Sequence, residues 1–332
     1  MIRKIRTRAR QLLTTFCLAF DALLFYPVLC FLPYGWAYPV TRGRGNLHFR
    51  LMQGLRSAML KDLAQCLPER TEAERMEIAR RVFQMQATFF YENYMWTRYR
   101  EKAWTRRFVT FEGLEHLDAS LAEGKGLILC TMHFNHYFIA GGHLIARGYE
   151  IAPYAVHPRD MKKVPFFVKL PHAYLIWMSS WKTGVRYMLA GRQPAREVLR
   201  RLRRNQPLYV LLDIPLPEQR NLKPVTFLGG TALFPCGLIR LQHRTGVPFQ
   251  VMYMVRDLKD WRRQTVIITP PLAFTGDVSS DLQLAVSELE GAIRRHPHFW
   301  WGWGRVDRMR PEHIRQAKEL RDYSTRTVKR PD

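Results

Sequence analysis

The chain has 332 residues, 47% of them apolar and 13% aromatic, which supports a packed domain and excludes global disorder. Its formal net charge of +24 leaves three classes of polyanionic partner open: nucleic acid, anionic lipid and acidic protein. Cys17, Cys30, Cys66, Cys130 and Cys236 are scattered in apolar contexts, with neither a disulfide framework nor the close pairing of a zinc knuckle.

From Leu12 to Thr41 Asp21 carries the single charge, and Arg3, Lys4, Arg6, Arg8 and Arg10 precede the stretch. Its length permits a bilayer span, which needs about 20 apolar residues, so residues 1–45 are predicted as an anchoring segment with an N-terminal hydrophobic membrane helix. Asp21 at mid-membrane would cost ~2.5–3.5 kcal/mol, and Pro27 and Pro33 interrupt a helix. Basic residues also follow the stretch (Arg42, Arg44, Arg50, Arg56, Lys61). A helix dipping into one leaflet, with both ends cytoplasmic, fits that symmetry better than a crossing.

Two helices are predicted next, over 46–66 and 71–100, joined by Leu67-Pro68-Glu69-Arg70. Thr71 and Glu74 have capping-box spacing. Apolar runs then fall at 127–132, 150–156, 208–212, 248–254 and 265–269. They alternate with helix-like stretches near 114–123, 136–147, 185–204, 235–245 and 281–295. This alternation predicts an α/β fold, a mixed and largely parallel sheet covered by helices. Active groups in such sheets gather at strand carboxyl ends, where His133 and Asp213 stand.

Several blocks, in order, resemble the bacterial lipid A biosynthesis acyltransferase family, within the lysophospholipid and glycerolipid acyltransferase-like group. They are Leu67-Pro68-Glu69-Arg70-Thr71-Glu72, Phe111-Glu112-Gly113-Leu114-Glu115-His116-Leu117, Gly124-Lys125-Gly126-Leu127, His133-Phe134, Leu211-Leu212-Asp213, Phe227-Leu228-Gly229-Gly230, Thr245-Gly246-Val247-Pro248 and Phe299-Trp300-Trp301 through Arg305. The resemblance implies acyl transfer from acyl carrier protein, or acyl-CoA, to a hydroxyl of a membrane glycolipid such as a lipid A precursor. It implies an enzyme at the anionic inner membrane with its catalytic domain, residues 46–310, facing the cytoplasm. A basic tail over 311–332 would follow, and no cofactor is implied.

In that family a histidine base is followed five positions later by an acid that orients it. Here the fifth residue after His133 is Phe138, and the usual Gly-Asn-Trp-acid run is Asn135-His136-Tyr137-Phe138. His157-Pro158 and Trp303-Gly304-Arg305 replace the commoner Arg-Pro and His-Arg-Arg. Three explanations stay open. Asp213 supplies the acid, His133 or His136 acts unassisted, or catalysis is lost and a lipid- or partner-binding role remains.

Other residues admit both plain and functional readings. His136 and His143 lie seven apart on one helical face, as core or site-lining imidazoles. Asp213 could cap a turn before Pro215. Arg196, Arg200, Arg201, Arg203 and Arg204 form a solvated face or a surface for carrier protein or phospholipid. Gly229-Gly230 reads as a tight turn that family position brings to the site. Arg305 reads as a holder of phosphate or thioester oxygen, or as a surface charge. No nucleic-acid module is found.

Overall fold

The computed structural model describes residues 14–95, 101–155, 165–189, 195–213 and 221–316. Seven strands form one sheet in the order β1-β9-β8-β2-β5-β3-β4, flanked by a two-stranded ribbon, β6-β7. They are β1 (Val109–Glu112), β2 (Ile128–Thr131), β3 (Ala152–Ala155), β4 (Met188–Leu189), β5 (Leu208–Leu211), β6 (Leu222–Phe227), β7 (Gly230–Pro235), β8 (Phe249–Arg256) and β9 (Gln264–Ile268). Strands β8, β2, β5, β3 and β4 run parallel, and β9 turns back antiparallel on β8 and pairs in parallel with β1. The result is the mixed, mostly parallel sheet expected. Strand β2 lies in its middle and is buried at every position. Covered on both faces, it reads as a continuous apolar run rather than an alternation.

Helices α1 (Tyr26–Leu29), α2 (Tyr34–Leu51), α3 (Gln53–Cys66), α4 (Glu72–Met95) and α5 (Glu101–Phe108) precede or lead into the sheet. Helices α6 (Leu114–Ala122), α7 (Tyr137–Ala146), α8 (Phe166–Thr183), α9 (Ala195–Arg203), α10 (Gly237–Thr245) and α11 (Val278–Arg295) connect its strands and cover it. The predicted capping box forms: the Glu74 carboxylate accepts from the Thr71 N–H at 2.7 Å, and the Glu74 N–H donates to the Thr71 hydroxyl. The helix predicted over 46–66 is two, broken at Met52. Positions 96–100 of the predicted second helix lie outside the described residues.

The described residues do not support the predicted N-terminal membrane helix. Among the described residues no helix is long and apolar enough to cross a membrane. The first described turns pass through a π-helical turn at Asp21–Phe25 and end near Phe31-Leu32-Pro33. There Pro33 removes a backbone donor and starts a new helix. That helix, α2, runs through position 45 and packs on α4. The charge that argued against insertion is taken inward. Asp21 is buried, paired with Arg44 at 2.6 Å and His48 at 2.7 Å.

Gly45 lets α2 and α4 meet: a Cβ there would lie 2.5 Å from the Gln84 Cα and 2.8 Å from its N. Backbone cannot yield as a flexible side chain does. Gly45→Ala is therefore expected to destabilise the protein by about 1–3 kcal/mol, read as a lower urea midpoint at unchanged slope.

Candidate active site

Strands β2 and β5 are parallel neighbours in the register Thr131↔Leu211. Two residues beyond each of these partners stand His133 and Asp213, so the ladder brings them to one carboxyl edge. The His133 Nδ1 lies 2.8 Å from Asp213 Oδ1, and the His133 backbone N–H donates to Oδ2 at 2.9 Å. The Asp213 side chain is 3% exposed, whereas that of His133 is 24% exposed. The acid sits behind and the imidazole in front. With Nδ1–H held by the carboxylate, Nε2 keeps the lone pair of a proton acceptor.

Burial alone would push the Asp213 carboxyl up. The adjacent imidazole and the hydrogen bonds from His133 and Trp300 outweigh it and hold the group below the usual carboxylate range. The third donor is the Trp300 indole, whose Nε1–H reaches Oδ2 at 3.0 Å. Trp300 arrives by an antiparallel bridge with Phe134. Asn135 N–H donates to the Phe299 carbonyl at 2.7 Å, and Trp301 N–H to the His133 carbonyl at 2.9 Å. The Phe299-Trp300-Trp301 block was legible as a family likeness, but its hold on Asp213 was not, because only the bridge reveals it.

The Tyr137 ring meets His133 edge-on at 4.8 Å, and the Tyr209 hydroxyl donates to the Tyr137 carbonyl at 2.7 Å. Phe138 does not face the imidazole's partner. It packs on Tyr137 and His172 and lines a narrow apolar crevice with Ile139, Ile145, Leu175 and Tyr209. Helix α7 closes on the sheet through Gly141, where a Cβ would be 3.0 Å from Ile151 Cδ1 and 3.1 Å from a Tyr209 ring carbon.

The other expected site residues take different places. His136 is fully buried. Its ring stacks on Phe89 at 4.2 Å and its Nδ1 accepts from the Ile139 N–H to cap α7. Burial pushes its pKa down and keeps it neutral, so it packs under the site rather than facing substrate. His143 is likewise buried, against Thr105 and Gln264, and burial lowers it to about 3. Asn135 adopts a left-handed φ of 46°. Its carbonyl accepts from Trp301 Nε1 at 3.1 Å, while its own buried Nδ2 has no partner among the described residues.

Gly229 is the second central residue of the two-residue β6–β7 turn. Leu228 and Gly229 have φ of 48° and 74°, the pattern that favours glycine in such hairpins. Gly230 lies under the Arg310 guanidinium, which donates to the Phe227, Leu228 and Thr231 carbonyls. The ribbon reaches the site through Phe227, whose ring meets Trp300 at 5.7 Å. Arg305 is exposed and makes no ion pair with the described residues. His157 and Pro158 lie outside the described residues.

Two phosphatidylinositol mannoside acyltransferases of Mycobacterium tuberculosis (strains CDC 1551 / Oshkosh and ATCC 25618 / H37Rv) are each 27% identical to this chain over 190 residues. Each match covers 57% of this chain and 56% of the relative, so the likeness spans a little over half the length of those proteins. The sequence model of the bacterial lipid A biosynthesis acyltransferases matches residues 5–303, both strand ends and the tryptophan block included. The chain belongs to the bacterial lipid A biosynthesis acyltransferase family.

Proposed function

We propose that the protein moves a fatty acyl group from a thioester donor, acyl carrier protein or acyl-CoA, to a hydroxyl of a membrane glycolipid such as a lipid A precursor. The observation that carries this is the His133–Asp213 pair at the ends of adjacent strands. His133 Nε2 takes the proton of the acceptor hydroxyl as its oxygen attacks the thioester carbonyl. Asp213 stabilises the imidazolium that forms, without itself taking the proton. The tetrahedral intermediate collapses with loss of the carbon–sulfur bond, and the imidazolium returns the proton to the leaving thiolate. A carboxylate within hydrogen-bond reach favours this reading over a binding-only role.

The apolar crevice beside Phe138 is suited to the acyl chain, and Arg305 to a phosphate of the acceptor. Replacing Ile145 on the crevice wall by Trp is expected to shift donor preference toward shorter chains, read from rates across a series of acyl-chain lengths. Purified protein in detergent, given labelled acyl carrier protein and membrane lipids, is expected to yield an acylated lipid, and His133→Ala to abolish it. Equal product from that variant would overturn the mechanism.

The seat we propose is one leaflet of the inner membrane, the α/β domain facing the cytoplasm. Phe31 and Trp36 near the N-terminus are 79% and 72% exposed, and Trp177 and Trp181 on α8 are 62% and 72% exposed. Helix α8 packs against the π-helical turn, so both sets belong to neighbouring elements, and interfacial tryptophan is the usual border of a membrane-seated surface. Changing Trp36, Trp177 and Trp181 together to Ser is expected to release the protein from anionic vesicles in a flotation assay at high salt, where only apolar insertion persists.

A further inference from the structure

A second concave site lies away from the His133–Asp213 pair, between α2, α4 and the connection from β8 to β9. It is an open concavity with a volume of about 360 Å3. From α2, Pro39, Arg42, Gly43 and Asn46 recur at helical spacing along one face; α4 contributes Glu77, Arg80, Arg81 and Gln84. Trp261 forms the remaining wall, with the Arg42 guanidinium 5.5 Å from its ring.

The lining brings three guanidinium groups, those of Arg42, Arg80 and Arg81, together with one carboxylate, that of Glu77, which only Arg80 and Arg81 take. Arg80 grips Glu77 with two bonds, at 2.7 and 2.8 Å, and Arg81 takes the same carboxylate at 2.6 Å. Arg42 pairs with no carboxylate among the described residues, and its Nε is buried without a hydrogen-bond partner. A buried charged donor left open calls for an acceptor. The Asn46 carbonyl oxygen already accepts from Arg80 at 3.2 Å and Gln84 at 2.8 Å, which leaves its NH2 as a further donor. Excess positive charge, a forked donor held against an aromatic face and neutral amide donors together match a tetrahedral oxyanion.

We propose that this pocket binds a phosphate monoester or diester. Its position bears on where the phosphate comes from. Exposed Trp36 lies six residues before Arg42, roughly 9 Å along the helix axis, and the polar layer of a leaflet is about 5–8 Å deep. A protein seated by its exposed aromatics would hold Arg42 near headgroup level. The phosphate site does not depend on the acyl-transfer reading, and its test reads binding alone.

The full chain in a non-ionic detergent is titrated by calorimetry with inorganic phosphate, with dihexanoyl phosphatidylglycerol below its micellar concentration, and with dihexanoylglycerol. The proposal expects at least one phosphate compound to bind and dihexanoylglycerol not to. Arg42→Gln is expected to weaken that binding about tenfold or more. Gly43→Glu should do the same by supplying a carboxylate of its own, because a Cβ at Gly43 meets nothing within 4 Å. Gly54→Glu adds the same charge on α3, also in open space, and is expected to bind as the parent does. Preference for the phospholipid over inorganic phosphate assigns a headgroup site, and equal binding assigns a site for free phosphate. Failure of both phosphate compounds to bind, or unchanged affinity in Arg42→Gln and Gly43→Glu, would overturn it.

Discussion

Asp213→Asn is expected to lower the acyl-transfer rate by about 10⁴ while the fold is retained. The reason lies in which oxygen carries which bonds. Oδ2 accepts two N–H groups, from the His133 backbone and from Trp300, whereas Oδ1 meets only His133 Nδ1. An asparagine would keep its carbonyl oxygen where two donors converge, and turn its NH2 toward Nδ1. That NH2 donates, so the imidazole must place its own proton on Nε2 and loses the lone pair that accepts the substrate proton. His133→Ala is expected to cost at least as much, and the double variant no more than His133→Ala alone, because the two residues act as one unit. Initial rates with a labelled thioester donor check all three. Additive losses would show that the pair does not work together. The same carboxylate has a pH signature. Its folded pKa is depressed, so its stabilising contribution is fully present above the unfolded value of about 3.9 and is lost as pH falls through the lower folded value.

The largest effect on stability is expected at Glu92. Its side chain and that of Arg256 are 0% and 1% exposed. The Arg256 Nη2 reaches both carboxylate oxygens, at 2.9 and 2.8 Å, and the Tyr38 hydroxyl donates to Oε1 at 2.7 Å. Arg256 also donates to the Trp261 carbonyl and faces the Tyr38 ring. The pair therefore joins the end of β8 to α4 and α2 inside the molecule. Glu92→Ala would leave a guanidinium buried without its counter-charge, at a cost of about 3–5 kcal/mol. Replacing both partners together, Glu92→Leu with Arg256→Met, is expected to recover most of that loss, since the desolvation of two charges disappears with them. Urea unfolding followed by circular dichroism separates the cases. A double variant as unstable as Glu92→Ala would mean that the ionic contact itself stabilises the fold.

Much of the candidate site could be read from local pattern. The runs at 127–132 and 208–212 are strands, and a polar residue closes each of them. Their adjacency in the sheet is a long-range pairing that periodicity does not encode, so the step from two strand ends to one dyad needed the ladder. Strand β1 and the β6–β7 ribbon were legible only as family blocks and a turn, because Val109–Glu112 is short and Leu222–Phe227 carries Lys and Pro. Helix α8 has an irregular aromatic pattern and was not recognised. The N-terminal stretch misled for a physical reason. Composition registers one charge in an apolar run, but not Arg44 and His48 folding back to bury it. His136 misled in the same way. A polar residue next to a site looks like a ligand until its neighbour Phe89 is seen covering it.

The indole that holds Asp213 lies 87 residues farther along the chain. At ribosomal speeds of about 5–20 residues per second, the interval between making the acid and making its third donor is on the order of 4–17 s. During that time β2 and β5 can pair, yet the carboxylate lacks Trp300, and Phe134 lacks its bridge. A nascent chain thus makes all the strands of its sheet before the third donor to Asp213, and translation stalled before residue 299 would leave that carboxylate held by His133 alone.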